Sequence, residues 1–398
     1  MRVVGSGLRE GWKVRKLGEV CDFQGGSQPP KSQFIYENKE GYVRFLQIRD
    51  FKNNKNITYI PESKKNRYCN KDDVLLGRYG ASVGKILINK AGAYNVAVMK
   101  TIPNKDLLLT QYLFFYLTSS EFQTNLLNVA SRSAQDGFSK KDIFNFSVLI
   151  PPLQEQKKIV AILDEAFLAI EKAKANAELN LQNAKELFES YLQGVFENRG
   201  EGWEEKSLND VCVVQRGSSP RPIKKYITES EDGVNWIKIG DTKKVNKYIY
   251  TTNQKITKEG SEKSRYVKEG DFILSNSMSF GKPYIMKTDG YIHDGWFVLR
   301  LYEFVDTEYF FQLLSSSLVN EQFHKLASGS VVKNISGDLV KKVILPIPPL
   351  NAQKQIVKKL NTLQEQTKKL ESIYTQKLSD LEELKKSLLQ KAFSGELI

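Results

Sequence analysis

Residues 10–29 read EGWKVRKLGEVCDFQGGSQP, and residues 201–220 read EGWEEKSLNDVCVVQRGSSP. At a constant offset of 191, Leu17/Leu208, Val20/Val211, Cys21/Cys212, Gln24/Gln215, Gly26/Gly217, Ser27/Ser218 and Pro29/Pro220 match. The same offset aligns VRFLQIRD (43–50) with VNWIKIGD (234–241). Further on the offset becomes 197: Gly84-Lys85 aligns with Gly281-Lys282, Tyr112 with Tyr309, and PPLQEQKKIV (151–160) with PPLNAQKQIV (348–357). The second copy therefore carries six extra residues between Asp241 and Gly281. A period this long exceeds any solenoid repeat, so the chain is a duplicated domain.

Each copy ends in a long helix. No Gly or Pro occurs across 153–193, and apolar residues recur at Val160, Leu163, Phe167, Ile170, Ala177, Leu181, Ala184, Phe188, Tyr191 and Val195. With Lys174 as the polar interruption, this is the three-four alternation of a coiled-coil seam. The second helix, 350–393, repeats it at Leu360, Leu363, Thr367, Leu370, Tyr374, Lys377, Leu381, Leu384 and Leu388. Each helix should be roughly 60 Å long, and an isolated one would expose its seam. The simplest partner of each is the other. The first runs from domain one to domain two and the second starts at domain two, so the pair must be antiparallel. The expected architecture is α/β or α+β. Two similar globular domains (1–150 and 198–347) alternate with two helical spacers (151–197 and 348–398) about an internal pseudo-two-fold axis. Each domain mixes short strands (43–48, 73–76, 85–89 and 96–102) with one helix near 110–128.

Composition narrows the function classes. The 398 residues carry a net charge of +13, with 26% charged and 40% hydrophobic residues, as in soluble folded protein. No apolar run reaches the roughly 18 residues of a membrane span, and residues 1–12 lack the apolar core of a secretory signal. Three scattered cysteines, Cys21, Cys69 and Cys212, make neither a disulfide framework nor a thiolate zinc site, and point to a reducing cytoplasm. Cys21 and Cys212 read as buried small hydrophobes. The two helical regions together hold 14 lysines and 14 acids, so the excess sits on the domains: +10 over 1–152 and +3 over 198–349. Two basic domains held apart by a neutral strut suit a polyanion, with nucleic acid ahead of membrane.

The assembled motifs carry a family resemblance. GW-x4-L-x2-V followed by a Gly-Ser-Pro loop, D-[VF]-[LI]-L…GK, and PPL-x2-Q-x2-IV opening a long helix are all duplicated, and AFSGEL stands at 392–397. Over essentially the whole chain this resembles the specificity subunit of bacterial and archaeal type I restriction–modification enzymes. The resemblance implies two target-recognition domains that read an asymmetric bipartite site on double-stranded DNA. It implies docking of two methyltransferase subunits and two restriction or motor subunits. It also implies that S-adenosylmethionine binds the methyltransferase partner, with no cofactor on this chain.

Catalytic patterns are incomplete. GRYGASVGK (77–85) resembles a phosphate loop, but Tyr79 and Ile86 stand where glycine and a hydroxyl are required. A strand-turn-strand corner is the better reading. The IPPL stretches at 150–153 and 347–350 lack the polar and aromatic partners of a methyltransferase motif, and read as proline before a helix start. Glu155-Gln156-Lys157 mimics the tail of a nuclease motif by chance. His293 and His324 share no catalytic context. No metal site is expected.

Candidate DNA contacts are the polar, basic loops at repeat-equivalent positions. In the first domain these are Ser27, Gln28, Lys31, Arg49, Arg78, Tyr79, Arg132 and Gln135. In the second they are Ser219, Arg221, Lys238, Asn276, Ser277, Ser330 and Lys333. Arginine favours guanine, and Asn or Gln favours adenine. The competing reading is a non-catalytic coiled-coil adaptor whose basic domains bind protein or RNA.

Overall fold

The long apolar seams do form helices. In a computed structural model, which describes residues 9–132, 137–243, 245–276, 281–327 and 336–398, unbroken helices run over Leu153–Glu197 and Leu350–Ser394. The chain divides into two compact units: Met1–Glu178 with Thr375–Ile398, and Leu179–Tyr374. Each unit thus takes one half of each long helix.

In the first unit the helices run antiparallel. Glu171 pairs with Lys385 at 3.3 Å and Lys174 with Glu382 at 2.7 Å, so rising numbers on one helix meet falling numbers on the other. The polar interruption at Lys174 is thereby explained as a cross-helix ion pair. Along the first helix the expected seam is inward-facing through Phe188, after which Leu192 and Phe196 replace Tyr191 as the buried positions. The second helix departs from expectation more widely. Leu370, Lys377 and Leu384 are exposed, while residues 371, 378 and 385 turn inward. At the last of these positions Lys385 accounts for the shift: its ammonium lies 4.8 Å from the Phe167 ring centroid while it pairs with Glu171. A lysine stem can cover apolar surface while its charge is satisfied at the rim, so an inward position on this helix need not be aliphatic.

Within the first unit, Cys21–Gly25, Val98–Pro103, Leu75–Gly77 and Ile86–Leu87 form an antiparallel sheet in that order. A second sheet has the order Tyr59–Pro61, Tyr42–Leu46, Gly92–Tyr94, Tyr68–Cys69, with Phe45 and Ala93 in parallel register at its centre. Lys13–Lys16 pairs with Ser147–Ile150 and closes the segment at its base. The second unit repeats this plan with five strands in each larger sheet. Its longer 241–281 segment adds the strand Tyr248–Ile249 beside Pro283–Met286. The single helix expected at 110–128 is two, Thr110–Thr118 and Ser120–Ala130. Ser119 breaks it: its backbone is extended (φ −67°, ψ 150°) and its hydroxyl accepts from Phe122 N, capping the second piece. Ser316 interrupts the equivalent helices in the second unit with φ −71° and ψ 155°.

The repeated PPL-x2-Q motif has a structural role. Gln156 is fully buried; its Nε2 donates to the Leu107 and Pro151 carbonyls and its Oε1 accepts from Leu109 N. Gln353 does the same with Phe304, Pro348 and Asp306. Replacing Gln156 with leucine keeps the volume but orphans one buried N–H and two carbonyls. Loss of roughly 1–3 kcal/mol is expected, measured by denaturant unfolding, with Gln353→Leu giving the same for the second unit.

Candidate nucleic-acid interface

In each unit the chain leaves its first sheet through the Gly-Ser-Pro loop. Gly26 N donates to Val98 O and Ser27 N to Tyr94 O, and the equivalent bonds are Gly217 N to Trp296 O and Ser218 N to Ile292 O. The loop crosses the neighbouring backbone so closely that a Cβ on Gly26 would lie 2.1 Å from Asn95 O, and one on Gly217 2.0 Å from His293 O. That approach requires glycine at both repeats.

The crossing brings sequence-predicted residues together in the first unit. Gln28 Oε1 accepts from Asn95 Nδ2 at 2.7 Å, and Asn95 Oδ1 in turn accepts from Ala97 N. Arg78 stacks on Tyr79, with its guanidinium 4.8 Å from the ring centroid, and donates through Nε to Phe138 O at 2.8 Å. Tyr79 bridges to Gly137. Arg78 lines an open groove of about 510 Å³ with Gln24, Gly25, Arg67, Ser139, Lys140 and Lys141 among its walls. Asp22, also on the groove, is held below the usual carboxylate range first by Phe23 N and then by Lys140. Arg49 is anchored to Thr58 Oγ1 at 3.1 Å, and Lys31 and Arg132 are exposed. Gln135 lies outside the described residues.

The second unit is equivalent in backbone and different in chemistry. Asn276 occupies the place of Arg78: Asn276 N donates to Gly295 O as Arg78 N donates to Ala97 O. Asn276 is buried, so its side chain is not the exposed contact that sequence suggested. Ser219 and Asp294 pair through their side chains, and Arg221 reaches Asp294 Oδ2 at 3.4 Å. Lys238 is half-buried, and its N–H is capped by Asp241 as Gln47 N is capped by Asp50. The repeated Asp of IRD and IGD therefore shapes a 3-10 turn. Ser277, Ser330 and Lys333 lie outside the described residues.

Asn95, Asp294, Arg67, Lys140 and Lys141 stand at the site without being among the candidate contacts. The Lys140-Lys141 pair after Ser139 was a visible basic signal. Asn95 and Asp294 gave none, because their partners arrive from distant loops. The phosphate-loop lookalike is a hairpin, with Leu75 opposite Leu87 and a strand where a helix would be needed. Cys21 and Cys212 are buried, and burial pushes both thiols up to about 12. Among the described residues no helix is long and apolar enough to cross a membrane.

His293 is a framework residue. Its Nδ1 accepts from Gly295 N at 2.7 Å, the task Asn95 performs in the first unit. Burial holds its pKa below the ordinary 6.5. The folded state thus binds this proton less readily than the unfolded chain, so the second unit is expected to lose stability as pH falls through 6.5. Denaturant unfolding at pH 7.5 and 5.5 checks this. His293→Asn should keep the bond to Gly295 and remove most of the dependence.

Both halves of the chain match one domain family. The profile of the type I restriction modification DNA specificity domain covers residues 9–181 and again 200–380. The chain belongs to this family. It is 25% identical over 417 residues to the type I restriction enzyme MjaVIII specificity subunit of Methanocaldococcus jannaschii, spanning 98% of this chain and 94% of that protein. The EcoKI specificity subunit of Escherichia coli (strain K12) is 21% identical over 425 residues, 98% of this chain and 90% of that one. Among solved structures, a chain from work on complex assembly and conformational transition of the type I R-M system has a TM-score of 0.75 at 19% identity, covering 99% of this chain and 100% of that one. The HsdS subunit from Thermoanaerobacter tengcongensis gives 0.68 at 20%, covering 99% of each. At these identities the structural likeness establishes the fold, mixed α/β sheets in two repeated units with long paired helices.

Proposed function

We propose that this chain is the DNA-specificity subunit of a type I restriction–modification complex, each globular segment reading one half of an asymmetric bipartite duplex site. The observation that carries the reading is duplication with divergence. One family domain occurs twice on a common backbone, while Gln28, Pro30 and Lys31 of the first recognition loop become Ser219, Arg221 and Pro222 in the second. The contact set is Ser27, Gln28, Lys31, Arg49, Arg78, Tyr79, Arg132, Ser219, Arg221 and Lys238. The groove residues Arg67, Lys140 and Lys141 join it as phosphate contacts, which position rather than specify. The long helices space the segments and dock two methyltransferase subunits, and two restriction or motor subunits complete the assembly. The chain itself is non-catalytic; S-adenosylmethionine belongs to the methyltransferase partner. Three buried free thiols suit a cytoplasmic protein.

The test is duplex binding by the full chain. Affinity should be sequence-selective and fall steeply with salt. Salt-dependent binding without sequence preference, or preference for RNA, would return the adaptor reading. Methyl transfer by the chain alone with S-adenosylmethionine would overturn the non-catalytic assignment.

A further inference from the structure

The second recognition loop is held by a charged device where the first uses a neutral one. Asp294 sits in the short link between two buried strands, Gly290–Ile292 and Trp296–Leu301, which belong to different sheets. Its backbone is therefore fixed from both sides. Asp294 and Ser219 lock reciprocally: the Ser219 hydroxyl donates to Asp294 Oδ1, and Asp294 N donates back to Ser219 Oγ at 3.3 Å. Arg216 Nε adds a bond to the Asp294 carbonyl at 3.3 Å. The second carboxylate oxygen, Oδ2, faces Arg221 NH2 at 3.4 Å.

Arg221 is otherwise open, its side chain 73% exposed. A single contact on one terminal nitrogen limits where the guanidinium points and leaves its other donors for a ligand. An exposed arginine loses most of its rotamer entropy on binding, and a carboxylate that restrains it beforehand reduces that cost. In the first unit Gln28, the equivalent of Ser219, is held instead by a neutral partner, Asn95, the counterpart of His293, and proline stands at the position of Arg221.

We infer that Asp294 positions Arg221 to read a guanine in the half-site of the second unit. The inference rests on the DNA-specificity reading above. Guanine is the base whose major-groove N7 and O6 accept the paired donors of arginine. Asp294 is a positioning residue: it acts through Arg221 and touches no base.

The experiment is selection of binding sites from a pool of randomised duplex DNA by the full chain. If the wild-type chain selects no bipartite consensus, the functional reading fails. If it does, Asp294→Asn should reduce preference for one guanine in the second half by on the order of tenfold. The first half-site should be unchanged and thermal unfolding only slightly lowered, because asparagine still accepts from Ser219, through a weaker neutral bond. Arg221→Ala, at an exposed position that cannot unfold the unit, should relax the same base step, and adding Asp294→Asn to it should change nothing further. Wild-type preference retained by either variant, or loss of both half-sites in Asp294→Asn, overturns the assignment.

Discussion

Phe393→Ala is expected to destabilise the first unit by about 3–5 kcal/mol, the range for removing a buried aromatic ring. Phe393 stands near the end of the chain yet lies in the first unit's core, its ring 5.1 Å from Tyr112 and 5.5 Å from Tyr116, both edge-on. Tyr112 and Tyr116 are themselves pinned, donating to the Leu149 and Ser147 carbonyls of the basal strand. Neither tyrosine can swing in to fill the void without breaking a buried hydrogen bond, so the cavity should persist. A loss of this size is a large part of the roughly 5–15 kcal/mol that a typical domain holds. Phe196 occupies the repeat-equivalent place, fully buried with its ring 5.8 Å from Tyr309, and Phe196→Ala should weaken the second unit alike. Denaturant unfolding followed by aromatic fluorescence reads both. A Phe393→Ala protein within about 1 kcal/mol of wild type would mean that the C-terminal segment merely rests on the first unit.

What could be read from sequence and what could not divides along physical lines. The duplication, the long helices and their antiparallel sense followed from local periodicity and chain connectivity. The inward turn of Lys385 did not, because a lysine covers apolar surface only when groups such as Phe167 and Glu171 lie beneath it. The breaks at Ser119 and Ser316 did carry a signal, the polar runs TSSE (118–121) and SSS (315–317), which the apolar stretches on either side outweighed in a single-helix reading. The division into two sheets rests on pairings such as Phe45 with Ala93, between strands too short to carry a pattern of their own. At the site, loop chemistry pointed to Arg78, Gln28 and Arg221. It could not separate exposed Arg221 from buried Asn276, since the two differ by tertiary burial rather than residue type. Gln156 and Gln353 looked like ordinary polar residues in a first helical turn, and their function is visible only against the carbonyls they satisfy.

Exchanging residues 13–150 for the first domain of another family member should replace one half-site completely and leave the other intact. The geometry favours a clean exchange. Lys13 stands opposite Ile150 in the basal strand pair, so the segment enters and leaves at one point; Glu204 and Ile347 do the same in the second unit. The main polar tie across the junction, Gln156, bonds only to backbone atoms of residues 107, 109 and 151, which any donor chain presents. The apolar tie is more demanding, because the donor must offer rings at the positions of Tyr112 and Tyr116 to Phe393. A donor with smaller residues there should fold poorly, and its failure is then distinguishable by unfolding from a failure of recognition. Since the first segment carries most of the excess positive charge, a less basic donor should also flatten the dependence of log affinity on log salt, by about one unit for each phosphate left without a basic partner. Site selection from randomised duplex, repeated across a salt series, measures both effects. A new consensus in both halves would show that the units do not read independently.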